Sequence, residues 1–338
     1  MSSSSAPSST SLVSPSQASG NLDEQAVVFR NATGQNLVGV WHAAQRENES
    51  VQSANATSAN ATSANATSAN ATKSDVGSSD CAIVMLHGWS GYRTGPHQML
   101  TRAAREFAAS GNGVLRFDFT GRGDSDGETE TATLATMADD ARAAMRWCQS
   151  EKSVSRFVLL GLCSGCEVAF ACAAEREVVA VALWSAPVFA AGQSDKRRAR
   201  KRIHLLKQYA RKLLRPSTYA KLLSGRLDRA SIGKAVAGGG GGENKNVEST
   251  SAGHLPPGWR DAALKKFQSF HAPLLLVYGT SDPTTEEALA WHRARLSEIK
   301  GAAKVREHLV AGANHSFYGL AWEREVLETT RGWLQELK

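Results

Sequence analysis

A cysteine with a glycine two residues away on each side is the strongest candidate for chemistry in this sequence. Cys163 lies between Gly161 and Gly165, after the apolar run 157–160 and before the run 167–174. The first run predicts a short buried strand, and the second predicts a helix. A sharp turn between a strand and a helix exposes its central side chain, and glycines let neighbouring backbone come close. Because a helix N-terminus favours the thiolate, this layout predicts a nucleophile at Cys163.

The same five residues leave two other interpretations open. A small buried cysteine beside a tight turn fits the local pattern equally well. Cys163 and Cys166 also form a C-x-x-C pair at a helix start, which is typical of thiol–disulfide redox proteins. Ser164 does not fit the central position, because Leu162 and Cys166 would then replace the two glycines.

An aspartate and a histidine follow two later predicted strands. Asp282 comes after the run 273–278, and His315 comes after the run 305–310. Parallel sheets place their chemistry at the carboxyl ends of their strands, where such residues meet. The chain order Cys163, Asp282, His315 is that of a nucleophile, an acid and a base, a constellation for acyl transfer. The competing interpretations are that Asp282 is only a turn residue and that His315 only caps its loop.

The elements that must position these residues alternate between strand and helix. Strand-like runs occur at residues 26–29, 37–41, 81–86, 113–119, 157–160, 178–184, 273–278 and 305–310. Apolar residues recur at helical spacing within residues 99–108, 134–148, 286–296 and 322–337. This alternation predicts an α/β protein with a doubly wound, mostly parallel sheet that is covered by helices.

Low-complexity and charged segments interrupt the alternation. Residues 1–20 are Ser-rich, and residues 44–80 contain four copies of SANAT, so a disordered tail and a flexible loop are expected. Residues 190–271 predict a basic helical lid over the strand ends, with five consecutive glycines at 238–242 as a mobile loop. The α/β domain then spans residues 21–338, with the SANAT loop and the lid as insertions.

Positive charge is concentrated in the predicted lid. The chain has 39 Lys and Arg against 32 Asp and Glu, a net charge of +7, and residues 196–229 hold thirteen Lys and Arg against one acid. Both a solvated surface and attraction of an anionic substrate are consistent with this charge. Nucleic acid is not expected as a partner, because no aromatic interleaving or binding motif accompanies the charge.

The composition favours a cytoplasmic location. Five cysteines without disulfide-framework spacing suit a reducing compartment. The N-terminal residues have neither the basic and apolar regions of a secretory signal nor the arginines of a transit peptide. No apolar run reaches membrane-spanning length. No pattern implies a metal or an organic cofactor, so neither is expected.

Four loop motifs give the chain a resemblance to the α/β-hydrolases. These are HGW at 87–89, RFDFTGRGDSDG at 116–127, YGTSD at 278–282 and GANHSF at 312–317. The cysteine turn resembles that of dienelactone hydrolases. GLC at 161–163, LLRP at 213–216 and KLLSG at 221–225 together look more like the exosortase A system-associated hydrolases. Proteins of that group are encoded alongside bacterial exopolysaccharide and protein-sorting machinery.

The resemblance implies an α/β-hydrolase fold and a Cys-His-Asp triad that cleaves an ester or thioester. His315 would take the proton of Cys163 or hold it as an imidazolium–thiolate pair, and Asp282 would orient His315. Acyl transfer to an alcohol or amine on the same triad is an alternative. A redox role for Cys163 and Cys166, and an idle fold that binds a partner through the basic lid, also stay open.

The resemblance further implies an oxyanion hole made of backbone N–H groups. Its donors would be the amides of Trp89 and Ser164. His87 and Gly88 would support the loop that carries Trp89, with His87 taking no part in proton transfer. The small residues that support the turn itself are Gly161 and Gly165.

Overall fold

The computed structural model describes residues 23–45, 80–189, 255–297 and 304–338. The predicted tail, almost all of the SANAT loop and most of the lid with its glycine run lie outside these residues. The described part contains strands β1 (Glu24–Arg30), β2 (Asn36–His42), β3 (Cys81–Leu86), β4 (Gly113–Phe117), β5 (Arg156–Leu162), β6 (Val178–Trp184), β7 (Leu274–Gly279) and β8 (Val305–Val310). It also contains helices α1 (Met99–Ala109), α2 (Leu134–Lys152), α3 (Ser164–Cys172), α4 (Trp259–Phe267), α5 (Thr285–Ser297) and α6 (Leu320–Glu336).

These strands form one sheet in the order β1-β2-β4-β3-β5-β6-β7-β8. Strands β3 to β8 pair in parallel, whereas β2 pairs antiparallel with both β1 and β4. β3 lies between β4 and β5, so the winding direction of the chain reverses at this strand. Open sheets bind ligands at such a reversal, outside the carboxyl ends of the strands. The predicted α/β class with a doubly wound, mostly parallel sheet is confirmed.

Helices cover both faces of the sheet and bury a hydrophobic core on each. On one face α1 and α6 contribute Phe107 and Trp333. On the other face α2, α3 and α4 contribute Met137, Phe170 and Phe267. Burying one such side chain stabilises the fold by about 1.5–3 kcal/mol. Packing from both sides therefore fixes the strand ends relative to one another. The loops that follow the strands consequently begin at fixed positions.

Helix α4 lies within the range predicted for the lid and packs on the core. Its Phe267 ring lies against Phe170 of α3, with 3.9 Å between ring centroids. Arg260 of α4 pairs with Glu167 of α3, Nη2 to Oε1, at 3.1 Å. The buried side chains of α4 are Ala263 and Phe267, too few to give a clear helical period in the sequence. α4 braces α3, the helix that begins just after the candidate nucleophile.

Candidate active site

Cys163 occupies the sharp bend between β5 and α3. Its backbone has φ 55° and ψ −123°, a conformation that residues with a Cβ seldom adopt. Its N–H donates to the carbonyl oxygen of Trp184 in β6 at 2.9 Å, and its own carbonyl accepts the N–H of Cys166 at 2.9 Å. Bonds on both sides of the residue hold the strained bend in place at the carboxyl edge of the sheet.

The glycines around the bend lie where a side chain has little or no room. A Cβ on Gly165 would lie 2.0 Å from the carbonyl oxygen of Leu86, at the end of β3. A Cβ on Gly161 would lie 2.7 Å from the backbone at the start of α3. A Cβ on Gly88, in the loop after β3, would lie 3.9 Å from Sγ of Cys163. The glycines therefore let α3 pack directly on the end of β3, which brings the loop after β3 beside the cysteine.

His315 and Asp282 meet at the same edge, from the loops after β8 and β7. His315 Nδ1 lies 2.6 Å from Asp282 Oδ2. The other carboxylate oxygen accepts the backbone N–H and the hydroxyl of Thr284, both at 2.9 Å. The Asp282 side chain is 4% exposed, whereas that of His315 is 39% exposed. Because the carboxylate accepts from Nδ1–H, Nε2 is the ring nitrogen left to interact with Cys163.

The Cys163 thiol and the His315 ring lie close enough that each shifts the pKa of the other. Burial raises the pKa of Cys163, but the charge of His315 and hydrogen bonds from His315 and Ser164 outweigh it and lower that pKa. Burial lowers the pKa of His315, but Cys163 and Asp282 together shift it upward. Burial raises the pKa of Asp282, but bonds from His315 and Thr284 bring it below its usual value. These directions favour a thiolate at Cys163, an imidazolium at His315 and a carboxylate at Asp282.

The loop after β3 presents a backbone N–H beside the bend. The N–H of Trp89 donates to Oγ of Ser164 at 3.0 Å. Beneath this loop, Nδ1–H of His87 donates to the carbonyl of Gly88 at 2.8 Å, and Nε2 accepts a backbone N–H from the loop after β4 at 3.3 Å. Burial lowers the pKa of His87 to about 4, so its ring is neutral near pH 7. The neutral ring can therefore make both bonds at once and anchor the loop.

Arg122 holds the same loop from the turn after β4, a role that the sequence analysis did not anticipate. Its Nε donates to the carbonyl oxygen of Trp89 at 2.6 Å. Its guanidinium carbon lies 4.6 Å from the centre of the Trp89 ring, a cation–π contact. The only signal in the sequence was its position between the glycines of GRG, at 121–123. Trp89 is thus held at its carbonyl by Arg122, while its N–H donates to Ser164 at the bend.

A buried carboxylate organises the turn that carries this arginine. Asp118 is fully buried, forms an ion pair with Arg93, and accepts the backbone N–H groups of Arg93 at 2.6 Å and Asp124 at 3.1 Å. Gly123 has φ 52°, and a Cβ there would lie 2.1 Å from Asp118 Oδ2. The hydroxyl of Ser125 donates to the Asp118 carbonyl at 2.7 Å. Asp124 and Ser125 thus stabilise the turn through their bonds to Asp118.

The second cysteine of the C-x-x-C pair faces the protein interior. Cys166 is 1% exposed, and its Sγ lies 3.4 Å from the carbonyl oxygen of Trp184. Burial raises the pKa of Cys166 well above its usual value, and the neighbouring Cys163 raises it further. Both residues are free thiols. The pKa values of the two thiols therefore shift in opposite directions: His315 lowers that of Cys163, whereas burial raises that of Cys166.

The described ranges show neither a metal-binding cluster nor a membrane-spanning helix. They contain no group of three or more His, Cys, Asp or Glu side chains that could hold a metal ion. None of their helices is both long and apolar enough to cross a membrane.

Several solved structures share this architecture. An esterase from Pyrococcus furiosus aligns with a TM-score of 0.59 at 18% identity, covering 98% of this chain and 96% of that one. An esterase from Exiguobacterium antarcticum gives a TM-score of 0.52 at 15% identity, with 92% and 100% covered. The esterase domain of a Rhodothermus marinus protein gives 0.51 at 19% identity, with 93% and 99% covered. At these identities the likeness shows the fold alone.

A sequence-family comparison is more specific. No curated protein matches the chain. The model of the Alpha/beta hydrolase family, however, matches residues 83–329, which include the bend and the loops of Asp282 and His315. This match spans most of the chain and agrees with the sheet order and with the bend between β5 and α3. The chain therefore belongs to the alpha/beta hydrolase family.

Proposed function

We propose that this protein hydrolyses an ester or thioester through a covalent acyl intermediate on Cys163. His315 is the general base and acid, and Asp282 orients it. The observation that carries the proposal is that one imidazole lies 2.6 Å from a buried carboxylate and lowers the pKa of the thiol at the bend between β5 and α3. Three separate loops supply these groups, which a purely structural cysteine would not require.

The first step forms the acyl intermediate. The Cys163 thiolate attacks the carbonyl carbon, and the carbonyl π electrons move onto oxygen. Backbone N–H groups of Trp89 and Ser164 stabilise the resulting oxyanion, and one such donor is worth about 3 kcal/mol in related sites. The intermediate collapses, the bond to the leaving group breaks, and the leaving alkoxide or thiolate takes the proton from His315 Nε2.

The second step releases the acid. A water molecule attacks the acyl carbon while His315 Nε2 takes one of its protons. The second oxyanion collapses and expels Cys163 as a thiolate, and the imidazolium–thiolate pair is restored. Asp282 keeps its negative charge throughout, and it stabilises the charged form of His315 without becoming protonated.

Two features of the proposal go beyond the triad. The basic residues of the predicted lid favour an anionic substrate, and the resemblance favours a role beside exopolysaccharide or exosortase machinery in the cytoplasm.

Acyl transfer to an alcohol or amine needs only a different acceptor in the second step. The redox alternative gives the Asp282–His315 hydrogen bond no role, which weighs against it.

Activity profiling with matched cysteine variants tests the proposal. Wild type, Cys163→Ala, Cys163→Ser and Cys166→Ala are compared on short- and long-chain p-nitrophenyl esters and on acyl thioesters. Cys163→Ala should have no activity above background, and Cys163→Ser should be strongly impaired, because a serine hydroxyl is not ionised near pH 7. Cys166→Ala is the control and should retain activity. Loss of activity in Cys166→Ala with full activity in Cys163→Ala would refute the proposal.

Two added measurements separate the alternatives. Alcohol and amine acceptors are supplied during turnover, and formation of a new ester or amide in place of the free acid would indicate an acyltransferase. Dithiol-dependent reduction of insulin that requires both Cys163 and Cys166 would favour the redox alternative. We expect free acid as the product and no insulin reduction.

A further inference from the structure

The Ser164 hydroxyl lies between two groups of the proposed active site. Its Oγ accepts the backbone N–H of Trp89 at 3.0 Å. The same hydroxyl donates toward Sγ of Cys163 at 3.9 Å. A hydroxyl has a single proton and two lone pairs, so accepting from an amide leaves that proton free for the sulfur. The Ser164 side chain thus connects the nucleophile to the loop that carries Trp89.

This position is also close to where negative charge would appear. An oxyanion must lie about 3 Å from its donors, and one of the proposed donors is the Trp89 N–H that Ser164 Oγ now contacts. When the thiolate attacks, charge leaves sulfur and develops on an oxygen one carbon away. The Ser164 proton therefore lies next to the charge both before and after attack.

Building on the proposed function, we propose that Ser164 is a catalytic residue whose hydroxyl follows the charge. It donates to the Cys163 thiolate at rest and to the carbonyl oxyanion during attack. Rotation about its C–O bond redirects the proton without moving the oxygen, and the Trp89 N–H is then shared between that oxygen and the oxyanion. Ser164 transfers no proton and forms no covalent bond, so it adds a third donor to the two backbone amides.

The surroundings of the sulfur make this role measurable. Among the described residues, His315 is a titratable group that acts on Cys163, Asp282 acts on His315, and Cys163 itself raises the pKa of Cys166 on α3. Replacing Ser164 alters none of these groups. A change in the titration of the thiol therefore reports the hydroxyl, and Ser164→Thr is a matched variant that keeps it.

The first test follows the thiolate directly. The rate of alkylation of Cys163 by iodoacetamide is measured against pH in wild type, Ser164→Ala and Ser164→Thr, with Cys163→Ala as the background for the other cysteines. In Ser164→Ala the pH of half-maximal rate should move upward, because the thiolate loses a donor. Ser164→Thr should stay near wild type. Equal profiles for all three proteins would overturn the resting-state role.

The second test follows the oxyanion. At a pH where Cys163 is fully ionised in each protein, Ser164→Ala should lower kcat for a p-nitrophenyl ester about tenfold or more, with little change in KM, and Ser164→Thr should restore it. Unchanged kcat in Ser164→Ala would overturn the oxyanion role. A wild type that cleaves no ester or thioester would refute both the proposed function and the oxyanion role of Ser164. Because alkylation needs no turnover, the alkylation profiles would still decide the role of Ser164 at rest.

Discussion

Asp282→Asn tests whether a fixed tautomer of His315 is required. The N–H and hydroxyl of Thr284 both donate to Oδ1 of Asp282, so that position must hold an acceptor. In the variant the amide oxygen therefore faces Thr284 and the amide NH₂ faces His315 Nδ1. Because Nδ1 must then accept, its proton moves to Nε2, and the ring cannot take a proton from Cys163.

The size of the loss follows from this reversal. A hydrogen bond to a charged group is worth about 1.5–3 kcal/mol, which alone corresponds to roughly 10- to 150-fold in rate. Reversal of the histidine tautomer costs about 10⁴-fold in triad enzymes. We therefore expect kcat/KM of Asp282→Asn to fall by about 10³- to 10⁴-fold. Thr284→Val is the matched control, because it removes one neutral bond to the same carboxylate and should cost only about 2- to 10-fold.

The pH profile gives an independent reading of the same perturbation. In the wild type His315 lowers the pKa of Cys163, so the acid limb of kcat/KM should lie below the pH at which an ordinary thiol ionises. Without the Asp282 charge the pKa of His315 falls, the thiolate loses its cationic partner, and the acid limb should move to higher pH. The assay is hydrolysis of a p-nitrophenyl ester across the pH range. A loss below about tenfold together with an unmoved acid limb would refute this reasoning.

Three further predictions concern the frame around the site. Gly165→Ala should lower the free energy of unfolding by about 2 kcal/mol or more in urea titrations, since its Cβ would lie 2.0 Å from the Leu86 carbonyl oxygen. Gly332→Ala is the control, because Gly332 is helical and a Cβ there would have nothing within 4 Å. It should raise the free energy of unfolding by about 0.5–1 kcal/mol. Arg122→Met removes the donor to the Trp89 carbonyl and should lower kcat about tenfold with KM little changed, and an unaffected kcat would show that the loop needs no such support. Phe267→Ala should destabilise the protein by about 3–5 kcal/mol in thermal or chemical unfolding, and a cost under 1 kcal/mol would mean that α4 does not brace α3.

The local signals in the sequence predicted the frame of the fold. Apolar runs such as residues 81–86 became central strands, because a strand buried on both faces needs an uninterrupted hydrophobic run. The bend at Cys163 was predictable for a similar reason. Its neighbours Gly161 and Gly165 are required by contacts that any side chain at those positions would violate. Helix α4 gave no such signal, because it buries too few residues to show a period.

What the sequence determined by itself was therefore the element order, the sharp bend at Cys163 and the loops of Asp282 and His315, since propensity and apolar spacing act between near neighbours in the chain. The tertiary structure decided which thiol of the C-x-x-C pair has its pKa lowered by His315, namely Cys163, and it turned the Cys166 sulfur toward the carbonyl of Trp184. It also set the bonds from Trp89 to Ser164 and from Arg122 to Trp89. Those contacts join residues far apart in the chain, and they exist only once the sheet has packed and its carboxyl ends have met.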